Sequence, residues 1–289
     1  IENYPGRGVL EALGSNLKIN PKNVYLRGNF AEFQDNKIIK LRTKIPDRRI
    51  INKLNKIDKS IRVIPTIGYR AVIIIKNASS NITNTHPGYK KINRISNAIK
   101  PRLIKLQCKG DKLTSSRINN FIKKAEAIMR NKTILIRGAG NKIPKLKKLD
   151  KWVLMADMPI EFGIAKLIGM KILPKKDYVN KAIKSYYNVY IQIKYPDRYG
   201  HLGDLRGKIK SIEKIDKILA PLTRLKNTLL CVTADHATPC NLKRHSKDPV
   251  PILIFGKGKD NVEEFDEEHC KKGSLRLEGK DLIEFLEKV

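Results

Sequence analysis

Aspartate and histidine residues that could hold a metal ion occur together in two short stretches. Asp197 and His201 are four residues apart, and Asp235 directly precedes His236, with His245 further along the same stretch. The chain has five histidines, and three of them lie in these two stretches. A lone polar residue in a loop is usually structural, but this concentration of carboxylates and imidazoles favours a divalent metal site. The mixed ligand set suits Mn²⁺, Zn²⁺ or Mg²⁺ and does not choose among them.

An apolar run precedes each stretch and is predicted to be a strand. Residues 189–194 lead into Asp197, and the run 229–232, predicted to be a buried strand, leads into Asp235. In open α/β sheets, ligands bind at the carboxyl ends of strands. From residue 133 onward, strand-like and helix-like segments alternate, which is typical of α/β folds. The sequence therefore predicts that two strand ends bring the five polar residues together.

The chain is strongly basic, with a net charge of +32. Such a charge suits nucleic-acid binding, but the lysines are spread along the whole chain and aromatic residues make up only 6%. No common nucleic-acid-binding motif is recognisable. An anionic phosphorylated substrate would also favour a positive field. Nucleic-acid binding therefore stays open as an alternative function, and nonspecific adhesion to polyanions is expected in either case.

Composition narrows the class of protein further. No apolar run is as long as a membrane span, and the first residues do not resemble a signal peptide. The four cysteines are scattered and form no CxxC pair, so no disulfide framework is expected. These features predict a soluble cytoplasmic protein without membrane association.

Several motifs resemble those of archaeal-type cofactor-independent phosphoglycerate mutases, which belong to the alkaline phosphatase superfamily. The matching motifs are Asp-x-x-x-His at 197–201, Thr-Ala-Asp-His-x-Thr-Pro-Cys at 233–240 and His-Ser-x-Asp-Pro-Val-Pro at 245–251. Further similarity lies at 6–14 (GRGVLEALG), 68–72 and 137–140. The motifs occur in the order found in the family, and the resemblance spans nearly the whole chain.

The resemblance implies an α/β fold of the alkaline phosphatase type. Its core would be a doubly wound, mostly parallel sheet with helices on both faces, and an α+β substrate domain would be inserted into it. The implied domains are 1–17, a remnant of the N-terminal part of the phosphatase-like domain, 18–131, the inserted domain, and 132–289, the metal-binding domain. The implied activity is interconversion of 2-phosphoglycerate and 3-phosphoglycerate, without 2,3-bisphosphoglycerate as cofactor.

The resemblance also implies roles for individual residues. Asp197, His201 and His245 would hold one of two divalent ions, and Asp235 and His236 would help to hold the other. The ions would lower the pKa of a serine that accepts the phosphoryl group as a phosphoserine. The residues implied in substrate binding are Arg27, Asp47, Arg48, Arg49, Arg70 and Arg137.

Two departures from the family pattern bear on activity. In the family, a segment that carries the serine nucleophile and a metal-binding aspartate precedes the GRG motif, and neither residue is identified in this chain. One hypothesis is that a separate N-terminal polypeptide completes the site. The loop 79–88 also lacks the charged groups usual in the family, since Asn81 and Asn84 are neutral, and its His86 is expected to be a surface residue.

Three functional hypotheses therefore stay open. The chain could be part of a mutase that is active with its N-terminal segment, or a relative that has lost or changed its activity. It could also be a basic nucleic-acid-binding protein. Within the enzyme class, phosphate-ester hydrolysis is a further option, because water can intercept a phosphoserine.

Overall fold

A computed structural model describes residues 4–92 and 95–289. The chain divides into two compact units, unit 1 (Ile1–Pro174) and unit 2 (Lys175–Val289). This division differs in position from the expected boundary between residues 131 and 132, and the three-domain organisation stays a prediction.

Unit 1 is built around a sheet of five strands, with helices on both of its faces. Its elements are α1 (Arg7–Gly14), β1 (Val24–Gln34), β2 (Lys37–Lys40), α2 (Arg48–Ile57), β3 (Ile61–Pro65), β4 (Arg70–Ile75), β5 (Tyr89–Ile92), β6 (Ile95–Ala98), α3 (Lys112–Met129), β7 (Lys132–Gly140), β8 (Trp152–Met155), α4 (Pro159–Ile168) and β9 (Lys171–Ile172).

The long strand β1 organises the five-stranded sheet. It pairs antiparallel with β2, β4 and β7, and β3 pairs antiparallel with β4. Asp35 and Asn36 join β1 to β2 with positive φ at both positions, as a tight hairpin turn requires. Antiparallel neighbours can be joined by such short turns, whereas parallel strands need a long crossover. All four pairings in the largest sheet are antiparallel, while β8 and β9 pair in parallel. Helices and sheets together confirm the α/β class, and the doubly wound, mostly parallel sheet stays a prediction.

The strand that begins near Thr133 was expected to open the metal-binding domain, but it lies in the sheet of unit 1. Residues 25–32 of β1 pair with 132–140 of β7. Thr133 to Arg137 are all buried, so this strand can be stable only inside a covered sheet. The apolar segment therefore completes the sheet that the preceding residues begin.

One face of this sheet carries the main apolar core. Alternate residues of β1, Leu26 and Phe30, pack with side chains of β3, β4, α2 and α3. Leu54 of α2 and Ala125 of α3 are completely buried there. Both helices begin at an aspartate, since Asp47 accepts a hydrogen bond from the Ile50 amide and Asp111 accepts one from the Thr114 amide.

Helix α1 packs on the opposite face of the sheet, at very short range. Val9 and Ala12 bury against Tyr25 and Val72. A Cβ at Gly8 would lie 2.1 Å from the carbonyl oxygen of Tyr25, so only glycine allows this approach. Gly138, at φ +64°, meets the Arg7 side chain in the same way. Gly8 of the 6–14 motif and Gly138 of the 137–140 motif thus allow close packing of the two segments.

Unit 2 is smaller, and most of its described elements are short. They are α5 (Tyr178–Ile183), β10 (Asn188–Ile191), α6 (Tyr195–Leu202), α7 (Leu205–Leu219), a 3-10 turn (Ala220–Arg224), β11 (Leu230–Thr233), β12 (Ile252–Phe255), α8 (Glu267–Cys270) and α9 (Leu282–Lys288). Strands β11 and β12 pair antiparallel.

The expectation that residues 229–232 form a buried strand is corrected in part. The strand exists as β11, but its residues are only half-buried and Thr233 is exposed. Its partner β12 alternates half-buried and exposed residues, with Leu253 and Phe255 40% and 45% exposed. A two-stranded sheet cannot cover both of its faces, which accounts for this exposure. Across residues 4–92 and 95–289, no helix has the length and apolar character needed to cross a membrane.

Candidate functional site

Helix α6 positions Asp197 and His201 on one of its faces. The two residues are one turn apart, and the Asp197 Oδ1 atom lies 3.5 Å from His201 Nε2. Pro196 in the first turn and Gly203 in the left-handed conformation after the last residue bound this short helix. The sequence placed both residues directly after a predicted strand and did not predict this helix. Helical spacing brings both side chains to the same place.

The other three polar residues lie in loops of unit 2. Asp235 and His236 follow β11, and His245 lies in the segment before β12. The Oδ2 atom of Asp235 is 3.4 Å from Nε2 of His236. The two stretches singled out in the sequence are therefore brought together within one unit.

Asp197, His201 and His245 form a nearly equilateral triangle of ligand atoms. His201 Nε2 and His245 Nε2 are 3.2 Å apart, and the Asp197 Oδ1 atom lies 3.5 Å and 3.4 Å from them. Ligands 2.0–2.1 Å from a tetrahedral ion are separated by about 3.3–3.4 Å, by the geometry of a tetrahedron. The three atoms thus match one face of such a coordination shell.

His236 extends this group on the other side of His245. The two rings stack, with centroids 3.5 Å apart and an interplanar angle of 22°. Ligand atoms of Asp197, His236 and His245 all lie within 4.8 Å of one another. His245 therefore lies between the other two imidazoles, and Asp235 adjoins this group through its contact with His236.

Hydrogen bonds to the far ring nitrogens fix which nitrogen faces this region. The Nδ1–H group of His201 donates to the carbonyl oxygen of Lys243 at 3.0 Å. The Thr238 hydroxyl donates to Asp197 Oδ1 at 2.8 Å and so accepts from Nδ1 of His236 at 3.1 Å. In both histidines the Nε2 lone pair remains available as a ligand.

The electrostatics keep Asp197 ionised. Burial by itself raises the pKa of Asp197, but hydrogen bonds from His245 and Thr238 and the charge of Lys194 outweigh it and hold the pKa below its ordinary value. The Lys194 Nζ atom lies 3.1 Å from Oδ2 of Asp197. For His236, burial together with the charge of His245 lowers the pKa, which favours the neutral imidazole. An ionised carboxylate and neutral imidazoles are the forms that bind metal ions.

A second group of acidic residues and a histidine, Glu264, Asp266 and His269, has ligand atoms equally close together. Asp266 Oδ1 accepts hydrogen bonds from the backbone amides of Glu268 and His269 at the start of α8, and its Oδ2 pairs with the His269 ring at 2.8 Å. Asp266 therefore caps α8 and also pairs with the His269 ring.

In unit 1, three of the arginines expected to bind substrate share one face of the sheet. Arg27 of β1 lies opposite Arg137 of β7, and its neighbour on the same face, Asn29, lies opposite Arg70 of β4. Arg27 and Arg137 are 4% and 7% exposed. We call Arg27, Arg70 and Arg137, together with Arg7 of α1, the arginine face.

Asp47, Arg48 and Arg49 lie elsewhere in unit 1. Asp47 caps α2, and the two arginines are exposed in its first turn. Helix α2 packs through Leu54 into the core on the sheet face opposite to Arg27. The structure thus separates this triplet from the arginine face, and its role in substrate binding stays a prediction.

The loop 79–88 has a structural role that the sequence did not indicate. Asn84 is buried, and its Oδ1 accepts a hydrogen bond from the Gly138 amide at 3.1 Å. His86 was expected at the surface but is only 4% exposed, because its backbone pairs with Ile136 and its ring packs edge-on against Tyr89. Burial, with the nearby Arg137 and Arg27 charges, lowers the pKa of His86 to about 3.

Sequence reasoning also missed residues that support the two sites. Thr238 lies inside the 233–240 motif, and Arg7 and Glu11 lie inside the 6–14 motif. Their place in these motifs was the available signal, but single residues of such motifs do not reveal their contacts.

Comparison with known proteins agrees with this architecture. Residues 163–287 match the Metalloenzyme superfamily, and residues 1–134 match 2,3-bisphosphoglycerate-independent phosphoglycerate mutase. Membership of a metalloenzyme superfamily implies binding of divalent metal ions, and the Asp197 group could hold them.

Individual sequence relatives of this chain are phosphoglycerate mutases of the same kind. A 2,3-bisphosphoglycerate-independent phosphoglycerate mutase of Archaeoglobus fulgidus is 30% identical, over 97% of this chain and 80% of its own length. One from Methanocaldococcus jannaschii is 30% identical over 99% and 77%.

Two solved structures share the fold. A protein from Pyrococcus horikoshii matches with a TM-score of 0.71 at 21% identity, over 94% of this chain and 74% of that one. The cofactor-independent phosphoglycerate mutase from Thermoplasma acidophilum matches with a TM-score of 0.55 at 22% identity, over 99% and 82%. Taken with the sequence relatives, these matches show that the chain belongs to the family of 2,3-bisphosphoglycerate-independent phosphoglycerate mutases.

Proposed function

We propose that this chain interconverts 2-phosphoglycerate and 3-phosphoglycerate through metal-assisted phosphoryl transfer, as the names of its relatives suggest. One observation carries the proposal: Asp197, His201 and His245 present three ligand atoms 3.2–3.5 Å apart, which matches one face of a metal coordination shell. In this proposal these three residues hold one divalent ion, and Asp235 and His236 help to hold a second.

The divalent ions, when bound, would supply charge that stabilises phosphate oxygens and activates a serine hydroxyl. The chain's own residues prepare this site. Asp197 stays ionised through Thr238 and Lys194, and the backbone carbonyl of Lys243 orients His201 with Nε2 inward. The preset geometry reduces the reorganisation that ion binding requires.

The arginine face would bind the anionic groups of the substrate. Guanidinium groups donate hydrogen bonds in pairs, which suits the oxygens of phosphate and carboxylate. Arg27 and Arg137 are directly opposite on adjacent strands, so their positions are fixed by the sheet. The proposal assigns no serine of this chain as the phosphate acceptor.

Metal content of purified variants tests the first part of this proposal. The wild type should retain Mn²⁺ or Zn²⁺ after dialysis, and Asp197→Ala and His245→Ala should each lose most of it. His269→Ala is the matched control, because it removes a histidine beside acidic residues that cap a helix. Equal metal content in all four proteins would contradict the assignment of ligands.

Turnover of 3-phosphoglycerate tests the second part. It should be measured for the chain alone and together with the preceding segment of a relative, with and without Mn²⁺. Metal-dependent turnover in either condition supports the mutase. Metal binding without turnover in both would favour a relative that has lost its activity, and release of free phosphate would indicate a hydrolase.

A further inference from the structure

One carboxylate lies among the guanidinium groups of the arginine face. The Oε1 atom of Glu11, in α1, accepts hydrogen bonds from Arg7 Nε and from Arg27 Nη1, each at 3.1 Å. The Glu11 side chain is only 2% exposed, and that of Arg27 is 4% exposed. A single oxygen of a buried carboxylate thus connects a helix arginine to a strand arginine.

Arg27 is held at a second point as well. Its Nε atom donates to Oδ1 of Asn29, which lies on the same sheet face, at 3.1 Å. Arg137 is fixed differently, since its guanidinium carbon lies 3.7 Å from the centre of the Tyr89 ring. Each buried arginine of the face is therefore oriented by a specific neighbour.

Positive charge nevertheless exceeds negative charge on this face. Burial lowers the pKa of Arg27 to about 9, and repulsion from Arg137 adds to that effect, while Glu11 opposes it. The Nε atoms of Arg70 and Arg137 are buried and have no hydrogen-bond partner within residues 4–92 and 95–289. Buried donors of this kind normally have an acceptor, so an anionic ligand would satisfy them.

Apolar and backbone packing hold α1 on the sheet in addition to the ion pairs of Glu11. Val9 and Ala12 are completely buried against the sheet, and Gly8 touches the backbone of Tyr25. Because packing already holds the helix, the ion pairs of Glu11 are available to orient the two guanidinium groups.

We infer that Glu11 is a positioning residue, which holds Arg7 and Arg27 in the orientation that binds the phosphate or carboxylate group of the substrate. This inference rests on the proposed function, in which the arginine face binds phosphoglycerate. Two effects of the carboxylate then have opposite signs. Its negative charge weakens attraction of an anion, and its hydrogen bonds align the arginines that bind it.

The substitution Glu11→Gln separates these effects, because glutamine keeps the shape and removes the charge. Titration calorimetry with 3-phosphoglycerate, in the presence of a chelator, measures binding without metal. Positioning predicts binding at least about tenfold weaker in the variant, since a neutral amide oxygen holds both arginines less strongly than the charged carboxylate oxygen does. Glu11→Asp, which retains the charge on a shorter side chain, should bind more tightly than Glu11→Gln.

Glu126→Gln is the matched control. Glu126 accepts hydrogen bonds from Lys105 and Thr133, and lies in unit 1 away from the arginine face. It should bind 3-phosphoglycerate like the wild type, even where its thermal stability is reduced.

Binding by Glu11→Gln that equals or exceeds that of the wild type would overturn the inference and leave only the charge effect. If Glu11→Gln does not fold, Glu11→Asp decides: weaker binding than the wild type supports positioning, and equal binding overturns it. Failure of the wild type itself to bind without metal would instead contradict the proposed role of the arginine face.

Discussion

The polar groups of the arginine face in unit 1 and of the aspartate–histidine cluster in unit 2 are supported in different ways. Arg27 and Arg137 stand on a sheet whose other face carries a core of completely buried residues such as Leu54 and Phe30. Within the described residues, the buried apolar clusters all lie in unit 1. Asp197, His201 and His245 instead lie on a short helix and a loop, connected by hydrogen bonds through Thr238 and Lys243.

This difference indicates which contacts orient the side chains of each site. Apolar packing orients the arginines before any ligand binds, whereas the histidine cluster depends on polar contacts and on the ion that it would hold. Removal of apolar contacts should therefore affect unit 1 most, and removal of metal should affect unit 2 most.

The largest expected effect is a difference in stability between two separate variants, each with one leucine truncated to alanine in a different unit. Leu54→Ala removes a completely buried side chain in unit 1 and should lower the free energy of unfolding by about 2–5 kcal/mol. Leu253→Ala, at a position 40% exposed in β12, should cost less than about 1 kcal/mol. Urea denaturation followed by circular dichroism measures both, and Trp152 fluorescence reports on unit 1. Equal losses would erase the contrast between the units.

Metal addition should stabilise unit 2 rather than unit 1. At a concentration of Mn²⁺ 100 times its dissociation constant, binding stabilises the site by about 2.7 kcal/mol. Hydrogen exchange by mass spectrometry should then slow in α6 and in the segment after β11, with little change in β1 and β7. Uniform protection across both units would contradict independent support, and the His245→Ala variant should show no protection.

A smaller effect is expected from Thr238→Val. This change keeps the buried volume but removes the hydroxyl that links His236 to Asp197. Metal affinity should fall about 10–100-fold, as is usual when a supporting hydrogen bond is lost. Competition titration with a chelating dye measures it. Thr233→Val, at an exposed position, is the matched control and should bind metal like the wild type.

The smallest effect concerns acid stability of unit 1. His86 has a pKa of about 3 when folded, against an ordinary value of 6.5, so the unfolded chain binds its proton first. Its neutral form therefore supports folding above the unfolded pKa, and stability falls as pH drops from about 6.5 toward 3. When the pH falls from 7 to 5.5, the free energy of unfolding should decrease by about 1 kcal/mol less in His86→Gln than in the wild type, because glutamine does not titrate. Parallel pH dependence of the two proteins, followed by Trp152 fluorescence, would contradict this reason.

Much of the local structure could be predicted from the sequence. Helix-like segments were expected from residue 133 onward, and α7 (Leu205–Leu219) is one that is observed; the residues singled out for metal binding also come together. Hydrophobic periodicity and residue types carry this information because they act over short distances along the chain.

What the sequence did not reveal depends on contacts between distant segments. Burial of His86 follows from pairing of its backbone with Ile136, and the antiparallel sheet follows from β7 joining β1. The link from His236 through Thr238 to Asp197 likewise joins separate stretches. The local sequence at these residues does not identify such partners. The strand at 229–232 is less buried than expected because the sequence does not show how many neighbouring elements cover it.

The close contact between the start of α1 and the end of β7 has a consequence for biosynthesis. The backbone of Gly138 meets the Arg7 side chain, although the two residues leave the ribosome far apart in time. At 5–20 residues per second, the wait is roughly 7–26 s. Throughout that interval, the apolar side of α1 can lie on β1, but the strand that closes over its first turn does not yet exist. Nascent chains that stop before β7 should therefore bind chaperones, and those that extend beyond it should release them.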